Sequence, residues 1–234
     1  MNYHMTADEQ KRAAALRALD FVEAGMKVGL GTGSTAEHFV RALGERVQSG
    51  LKIVATPTSE RTATLARDLG IPLATLDDLG EPDVTVDGTD EVDGELRLIK
   101  GGGGALLREK IVASASKRMI VIADSSKRVD ALGVFPLPVE IVTFAPQTTL
   151  RRIADVAVRA GCRGNLTRLR GGDRPFRSDQ NNFVADVACE FIPNPDELSR
   201  ALLAIPEVVE HGLFLGLCST LILGHANGVE VVTR

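Results

Sequence analysis

Four short segments of the sequence carry side chains that could perform chemistry on a small anionic substrate. Residues 29–36 (GLGTGSTA) combine glycines with hydroxyls, and residues 86–93 (VDGTDEVD) hold four carboxylates. Residues 100–110 (KGGGGALLREK) join a lysine to four glycines and a glutamate, and residues 122–127 (IADSSK) end on a lysine. A base, further acids and donors for negative charge are the parts that proton transfer beside a carbonyl group requires.

The glycine–hydroxyl segment predicts an anion site at the start of a helix. It lies between an apolar strand, predicted over residues 26–30, and a helix predicted over residues 36–47. Glycine at position 33 lets the backbone approach a ligand, and free N–H groups at a helix start favour negative charge. The hydroxyl donors are Thr32, Ser34 and Thr35. A tight strand–helix turn with Ser/Thr caps is the alternative that stays open.

Two nucleotide-binding motifs share this segment and are disfavoured. A dinucleotide fingerprint expects an acidic residue about 20 residues further on, but the second predicted strand ends in Ala55-Thr56-Pro57. A Walker motif expects a lysine directly before the serine, and Gly33 precedes Ser34. A nicotinamide dehydrogenase is therefore an unfavoured alternative.

The acidic segment predicts titratable groups suited to acid–base work. Its carboxylates belong to Asp87, Asp90, Glu91 and Asp93, and clustered acids repel one another, which raises some of their pKa values. A metal site is the obvious alternative, but the spacing is not that of an EF-hand loop. A solvated acidic turn is the other alternative.

The lysine–glycine segment predicts a nest of donors followed by a base. Lys100 ends a predicted strand, and the glycines after it can present several N–H groups to one anion. Glu109 stands in the following helix among leucine, isoleucine and valine, and apolar surroundings raise the pKa of a carboxyl group. A surface Arg-Glu-Lys triplet is the alternative. Lys127, after another predicted strand, is a weaker candidate for binding a phosphate.

These segments all follow predicted strands of one parallel sheet. Short apolar strands alternate with helices from residue 7 to residue 123, which is typical of an α/β fold, and ligands bind at the carboxyl ends of such strands. Beyond residue 138 the order strand–helix–strand–strand–helix indicates a small α+β domain. The apolar tail, residues 212–232, is expected to return to the main sheet.

Bulk properties exclude several classes of protein. The net charge is −4, from 27 Lys+Arg against 31 Asp+Glu, without a basic run for nucleic acid. The three cysteines form no C-x-x-C pair, so neither a disulfide framework nor structural zinc is expected. No secretory signal and no stretch of 18 apolar residues is evident, so a cytoplasmic location and no membrane association are expected.

The motifs together resemble the ribose-5-phosphate isomerase type A family. The resemblance covers nearly the whole chain and rests on residues 29–36, 86–93, 99–110, 122–127, 135–140 and 205–214. It implies a Rossmann-like parallel-sheet main domain (1–138 and 209–234) and a smaller α+β, ferredoxin-like domain (139–208). It also implies interconversion of ribose 5-phosphate and ribulose 5-phosphate, with no metal or organic cofactor, by a homodimer or homotetramer.

The resemblance further implies roles for individual residues. Glu109 matches the base, Asp87 and Asp90 match acids near the ring oxygen and hydroxyls, and Lys100 matches the group that stabilises the enediolate. The residues that it implies bind substrate are Thr32, Gly33, Ser34, Thr35, Gly88, Thr89, Gly101, Gly102, Gly103, Lys127 and Lys11.

Two features depart from the family pattern. Thr89 stands where alanine is usual, and residues 163–177 contain five arginines, which we expect to bear more on assembly than on chemistry. The remaining alternatives are a non-catalytic sugar-phosphate sensor, for which no helix-turn-helix is expected before the first strand, and a CoA-transferase-like enzyme.

Overall fold

A computed structural model describes residues 5–164 and 166–234, and the chain forms two compact units. The first consists of the residues up to Thr89, Arg108–Lys127 and Gly216–Arg234; the second consists of Asp90–Leu107 and Arg128–Leu215. The predicted combination of an α/β unit with a smaller α+β unit is confirmed.

The first unit is built around a six-stranded sheet. Its strands are β1 (Lys27–Leu30), β2 (Val54–Pro57), β3 (Val84–Asp87), β6 (Met119–Asp124), β12 (Cys218–His225) and β13 (Gly228–Thr233). Its helices are α1 (Ala7–Ala18), α2 (Ser34–Gln48), α3 (Glu60–Asp68) and α4 (Leu76–Leu79), and α5 (Leu106–Ser114) leads into β6. Single 3-10 turns cover Leu19–Phe21 and Ser125–Lys127.

The strand order accounts for three of the four predicted motifs, which follow β1, β3 and β6 of this sheet. The prediction for the fourth was wrong: the lysine–glycine segment follows Leu98–Ile99, which pairs in a separate antiparallel sheet. The order is β13-β12-β6-β3-β1-β2, and every neighbouring pair is parallel except β12 with β13. All six residues of β6 are buried, which is typical of a central parallel strand covered on both faces. The predicted return of the chain's tail to this sheet is confirmed from Cys218 onward, whereas Leu213 and Phe214 pair with Ile99 and Leu98 in another sheet.

Local signals in the sequence set the helix starts of this unit. Thr6 and Glu9 form a capping box at α1, in which the side chain of each accepts a hydrogen bond from the backbone N–H of the other. Ser59 caps α3 by accepting from the N–H of Thr62 at 3.1 Å. These caps satisfy N–H groups that a helix start leaves unpaired.

The second unit contains two antiparallel sheets. The larger one has the order β10-β7-β9-β8, from β7 (Leu137–Ile141), β8 (Leu166–Leu169), β9 (Phe183–Ala188) and β10 (Val208–His211). Helices α6 (Pro146–Arg159) and α7 (Pro195–Leu203) complete the β-α-β-β-α-β order that defines the predicted ferredoxin-like fold. The smaller sheet pairs β5 (Leu98–Ile99) with β4 (Glu91–Val92) and β11 (Leu213–Phe214).

The sequence-based prediction differs from the structure at short elements. The third strand predicted over residues 72–74 is a single bridge between Ala55 and Leu73. Helix α4 and strands β4, β10 and β11 were not predicted. The strand predicted to begin at Asn165 is described from Leu166, since Asn165 lies outside the described residues. Of the helices in the described part of the chain, none combines the length and apolar character needed to cross a membrane.

Candidate functional site

A cluster of hydroxyl groups fixes the loop between β1 and α2. The Thr32 Oγ1 lies 2.8 Å from Thr58 Oγ1, 2.8 Å from Ser59 Oγ and 3.1 Å from Thr62 Oγ1. The Thr62 hydroxyl also donates to the carbonyl of Gly31 at 3.0 Å. Thr58, Ser59 and Thr62 are buried at the start of α3. Their hydroxyl groups therefore hold the Thr32 side chain in one rotamer. The start of α2 is thereby held at the carboxyl end of the sheet.

Asp87 is fully buried where β3 ends, and its carboxylate contacts the same loop. Its Oδ1 accepts from the N–H of Thr32 at 3.0 Å and from the N–H of Gly88 at 2.7 Å. A side chain at Gly31 would overlap this carboxylate, so the close approach of the two strand ends requires glycine there. The predicted convergence of the glycine–hydroxyl loop with the acidic segment is therefore present within the first unit.

Glu109 is 3% exposed and lies on α5. Val112, one turn later on α5, packs against Gly29 of β1. A Cβ atom at Gly29 would lie only 2.9 Å from Cγ1 of Val112. Because α5 leads into β6, it runs against the strand direction, and its first turns point to the carboxyl ends of the strands. Three residues span about 4.5 Å along a helix, which puts Glu109 about level with the end of β3. The alternative of a surface triplet is excluded for this buried glutamate.

Helix α1 joins two predicted phosphate-binding elements. Lys11 Nζ donates to Ser34 Oγ at 3.2 Å, at the start of α2. The neighbouring Gln10 accepts from the hydroxyl of Ser125 at 2.9 Å, in the 3-10 turn that ends at Lys127. Consecutive residues of one helix thus hold the loop after β1 and the turn after β6. Three of the residues predicted to bind the phosphate, Lys11, Ser34 and Lys127, therefore lie at one end of the first unit.

The remaining predicted residues lie in the second unit, apart from Gly88 and Thr89 at the end of the first. Lys100 is 2% exposed, and its Nζ lies 5.5 Å from the ring centre of Phe214. Gly101 has a φ of +102° and starts the glycine loop, in which Gly102 and Gly103 are exposed. The N–H of Gly102 donates to Asp90 Oδ2 at 2.7 Å, so this acid and the loop form one cluster.

The other two acids of the predicted cluster have structural partners. Glu91 accepts from the N–H of Gly133 at 2.7 Å and from that of Phe135 at 2.5 Å. Asp93 accepts from Arg97 Nε at 2.7 Å, and its Oδ1 also accepts from the N–H of Arg97. In the described residues no group of three or more histidine, cysteine, aspartate or glutamate side chains could hold a metal ion.

The hydroxyls of Thr58, Ser59 and Thr62 were missed by sequence reasoning. In the sequence, the end of the second predicted strand serves only as an argument against a dinucleotide site, because it lacks a carboxylate. Its signal was nevertheless readable, because a serine three residues before a threonine, directly after a strand, is a helix-start pattern.

Comparisons with known proteins show the family of the chain. The family model described as Ribose 5-phosphate isomerase A (phosphoriboisomerase A) matches residues 54–228. Ribose-5-phosphate isomerase A of Parvibaculum lavamentivorans is 60% identical over 229 residues, which cover 97% of this chain and 99% of the relative.

Solved structures resemble the chain over nearly its whole length. A D-ribose-5-phosphate isomerase in complex with phospho-erythronic acid is 38% identical, with a TM-score of 0.91 over 98% of this chain and all of that one. Ribose 5-phosphate isomerase A of Neisseria gonorrhoeae is 39% identical, with a TM-score of 0.89 over 99% of each chain. On the family model and on these relatives, the chain belongs to the ribose 5-phosphate isomerase A family.

Proposed function

We propose that this protein is an aldose–ketose isomerase that interconverts D-ribose 5-phosphate and D-ribulose 5-phosphate, a step of the non-oxidative pentose phosphate pathway. The observation that carries the proposal is the 60% identity to a ribose-5-phosphate isomerase A over 97% of the chain. The position of a buried glutamate, Glu109, near the carboxyl ends of the strands supports the same reaction, because isomerisation needs one base beside the substrate's carbonyl group.

Glu109 acts as the base in this proposal. Its carboxylate removes the proton from C2 of the open-chain aldose, and the electron pair of the C–H bond forms the C1–C2 double bond while negative charge moves to the C1 oxygen. The same carboxyl group then returns the proton to C1, and the hydroxyl proton on O2 moves to O1. The base ends the cycle in its starting state, so no external oxidant or reductant is consumed.

Asp87 exchanges protons with the ring oxygen and the hydroxyls when the sugar ring opens. The two N–H groups that donate to its Oδ1 fix the direction of the carboxylate. Asp90 has a comparable role, oriented by the N–H of Gly102. Both acids therefore begin the reaction with a defined geometry.

The negative charge of the enediolate is stabilised by Lys100 and by N–H groups of Gly101, Gly102 and Gly103. A lysine at 2% exposure interacts strongly with a nearby anion, since little water screens its charge. Donors on a glycine loop can face one oxygen atom, as in other anion-binding nests. This assignment rests on the resemblance of residues 99–110 to the family.

The phosphate binds at the start of α2, with the remaining substrate-binding residues along the sugar. The N-terminal end of a 15-residue helix and the hydroxyls of Ser34 and Thr35 favour an anion there. The lysines at positions 11 and 127 add positive charge. One structurally similar isomerase is solved with phospho-erythronic acid, an acid that carries a phosphate, which supports a sugar-phosphate substrate for this chain.

The assembly, location and cofactor requirement are also proposals. The family resemblance supports a homodimer or homotetramer in the cytoplasm, with neither metal nor organic cofactor. Light scattering after size-exclusion chromatography would test the assembly: a monomer at enzyme-assay concentration would contradict it.

The decisive experiment is conversion of ribose 5-phosphate to ribulose 5-phosphate by the purified protein in excess EDTA. Turnover there is the expected result. Turnover that EDTA abolishes and a divalent metal restores would reject the metal-independent mechanism. A folded protein without any turnover that still binds the sugar phosphate in a thermal-shift assay would favour the sensor alternative.

A further inference from the structure

The arginine-rich segment contains one residue whose environment differs from that of the others. Its five arginines are Arg163, Arg168, Arg170, Arg174 and Arg177, and four of them are exposed. The side chain of Arg170 is only 18% exposed and follows directly after β8 in the second unit. An arginine withdrawn from water on this hairpin is expected to have specific acceptors.

Two of those acceptors are carbonyl groups of the glycine loop. Arg170 Nη1 donates to the carbonyl oxygen of Gly101 at 3.0 Å and to that of Gly102 at 3.1 Å. Its Nε and Nη2 donate to the two carboxylate oxygens of Asp186 on β9, at 3.1 and 2.5 Å. The planar guanidinium group is thus held by a bidentate carboxylate on one side and holds two peptide groups on the other.

The same hairpin contacts the end of the loop. The ring centre of Phe176 lies 5.8 Å from the guanidinium carbon of Arg170. A side chain at Gly104, where φ is +81°, would overlap this ring. The N–H of Phe176 donates to the carbonyl of Arg170 at 2.8 Å, which fixes the ring relative to the arginine.

Fixing the two carbonyls also fixes the N–H groups of the same peptide planes. In a trans peptide the C=O and the following N–H point in opposite directions. The carbonyls of Gly101 and Gly102 face Arg170, so the N–H groups of Gly102 and Gly103 face away from it. The first of these donates to Asp90, which agrees with this geometry. A positive charge on the carbonyl side also polarises the peptide groups and strengthens their N–H donors.

We infer that Arg170, held by Asp186, is a positioning residue for isomerisation that orients two peptide groups of the glycine loop, so that the N–H of Gly102 holds Asp90 and the N–H of Gly103 faces the substrate's negative charge. This inference rests on the proposed isomerase function and on the charge-stabilising role proposed for that loop. Arg170 contacts the loop through the carbonyl oxygens of Gly101 and Gly102, and it therefore acts on the reaction through other groups. We expected the arginine-rich segment to contribute more to assembly than to chemistry. On this inference one of its residues, Arg170, contributes to the reaction.

The test compares Arg170→Ala, Arg170→Lys and, as the matched control, Arg168→Ala, an exposed arginine two residues earlier. We expect Arg170→Ala to lower kcat about 10- to 100-fold, the effect of losing hydrogen bonds from a charged group. KM should change less than about threefold, because the phosphate contacts are unaltered. Arg170→Lys keeps the charge but not the fork, so its kcat should also fall, while Arg168→Ala should resemble the wild type.

Two readouts separate positioning from a general loss of structure. Millimolar guanidinium chloride should restore part of the kcat of Arg170→Ala, since it refills the vacated position, and should not restore Asp186→Asn, which keeps its arginine. Hydrogen–deuterium exchange of the peptide containing residues 101–104 should become faster in Arg170→Ala, with other segments unchanged.

Several outcomes would overturn the inference. One is a rate of hydrogen–deuterium exchange at residues 101–104 of Arg170→Ala that equals the wild-type rate. Another is an unchanged kcat in Arg170→Ala, and a third is a fall of kcat in the Arg168→Ala control as large as that in Arg170→Ala. Absence of turnover in the wild type would instead refute the proposed function. The exchange measurement would still decide in that case whether Arg170 holds the loop.

Discussion

Replacing Glu109 by glutamine tests the proposed base at the least structural risk. The substitution keeps the shape of a side chain that is 3% exposed and exchanges a buried carboxylate for a neutral amide. We therefore expect the melting temperature to stay within a few degrees of the wild type. The amide cannot accept the C2 proton, so kcat should fall by about 10² to 10⁴, the contribution of a positioned base. That range corresponds to about 2.7 to 5.4 kcal/mol in the activation barrier.

The assay follows ribulose 5-phosphate formation and, separately, exchange of the C2 proton with solvent deuterium. The matched control is Glu45→Gln, the same chemical change at an exposed position of α2, which should leave kcat unchanged. Binding of a phosphorylated sugar acid should survive in Glu109→Gln, because the phosphate site is intact. Near-normal turnover or near-normal proton exchange in a folded Glu109→Gln would refute the assignment of the base.

Three further predictions concern binding, reactivity and pH. Lys127→Ala should mainly raise KM, with the exposed Lys52→Ala as control, and a change confined to kcat would count against phosphate binding. Burial raises the pKa of the Cys218 thiol to about 12, and all three cysteines are buried, so the native protein should resist iodoacetamide near pH 8 until denaturant is added. The hydrogen bond from Lys117 lowers the pKa of Asp83 below its usual 3.8, so its stabilising effect is present above that pH and is lost below it. Urea unfolding of the wild type and Asp83→Asn should therefore differ near neutral pH and converge as the pH falls below about 3.8; a constant difference would contradict this.

The α/β unit was predictable because its signals act locally. The apolar run at residues 119–123 has no polar break, so only a strand covered on both faces suits it. A capping side chain marks the starts of α1, α3 and α4, as Ser59 does for α3. The partners of β10 and β11 are instead distant in sequence, and β11 has two residues, which is too short for periodicity to identify. The pairing of β5 with β11 likewise joins residues that are more than 100 positions apart in the sequence.

The candidate site was predictable in its residue types and less so in its contacts. Glycine, hydroxyl and lysine residues were enough to locate the candidate loops in the sequence, because loops that do not bind an anion rarely need this combination directly after a strand. Burial was harder to predict on α5, where Glu109 is buried and Ile111, two residues later, is 47% exposed. Hydropathy alone predicts the reverse, and the helical face can be assigned only once Val112 is known to pack over β1. Arg170 gave no signal either, because its acceptors are backbone carbonyls about 70 residues earlier in the chain.

The acidic segment shows why equal charges in a sequence do not imply equal roles. Sequence reasoning treated the four carboxylates as one repelling cluster, which raises pKa values. In the structure each takes its own N–H donors: Asp87 from the loop after β1, Asp90 from the glycine loop, Glu91 from residues 133 and 135, and Asp93 from residues 95 and 97. Separate backbone donors hold these carboxylates in different directions, so the segment can hold several of them at close spacing. What distinguishes the proposed acids from the structural ones is therefore their donors, which belong to the two ligand-binding loops, and not their charge.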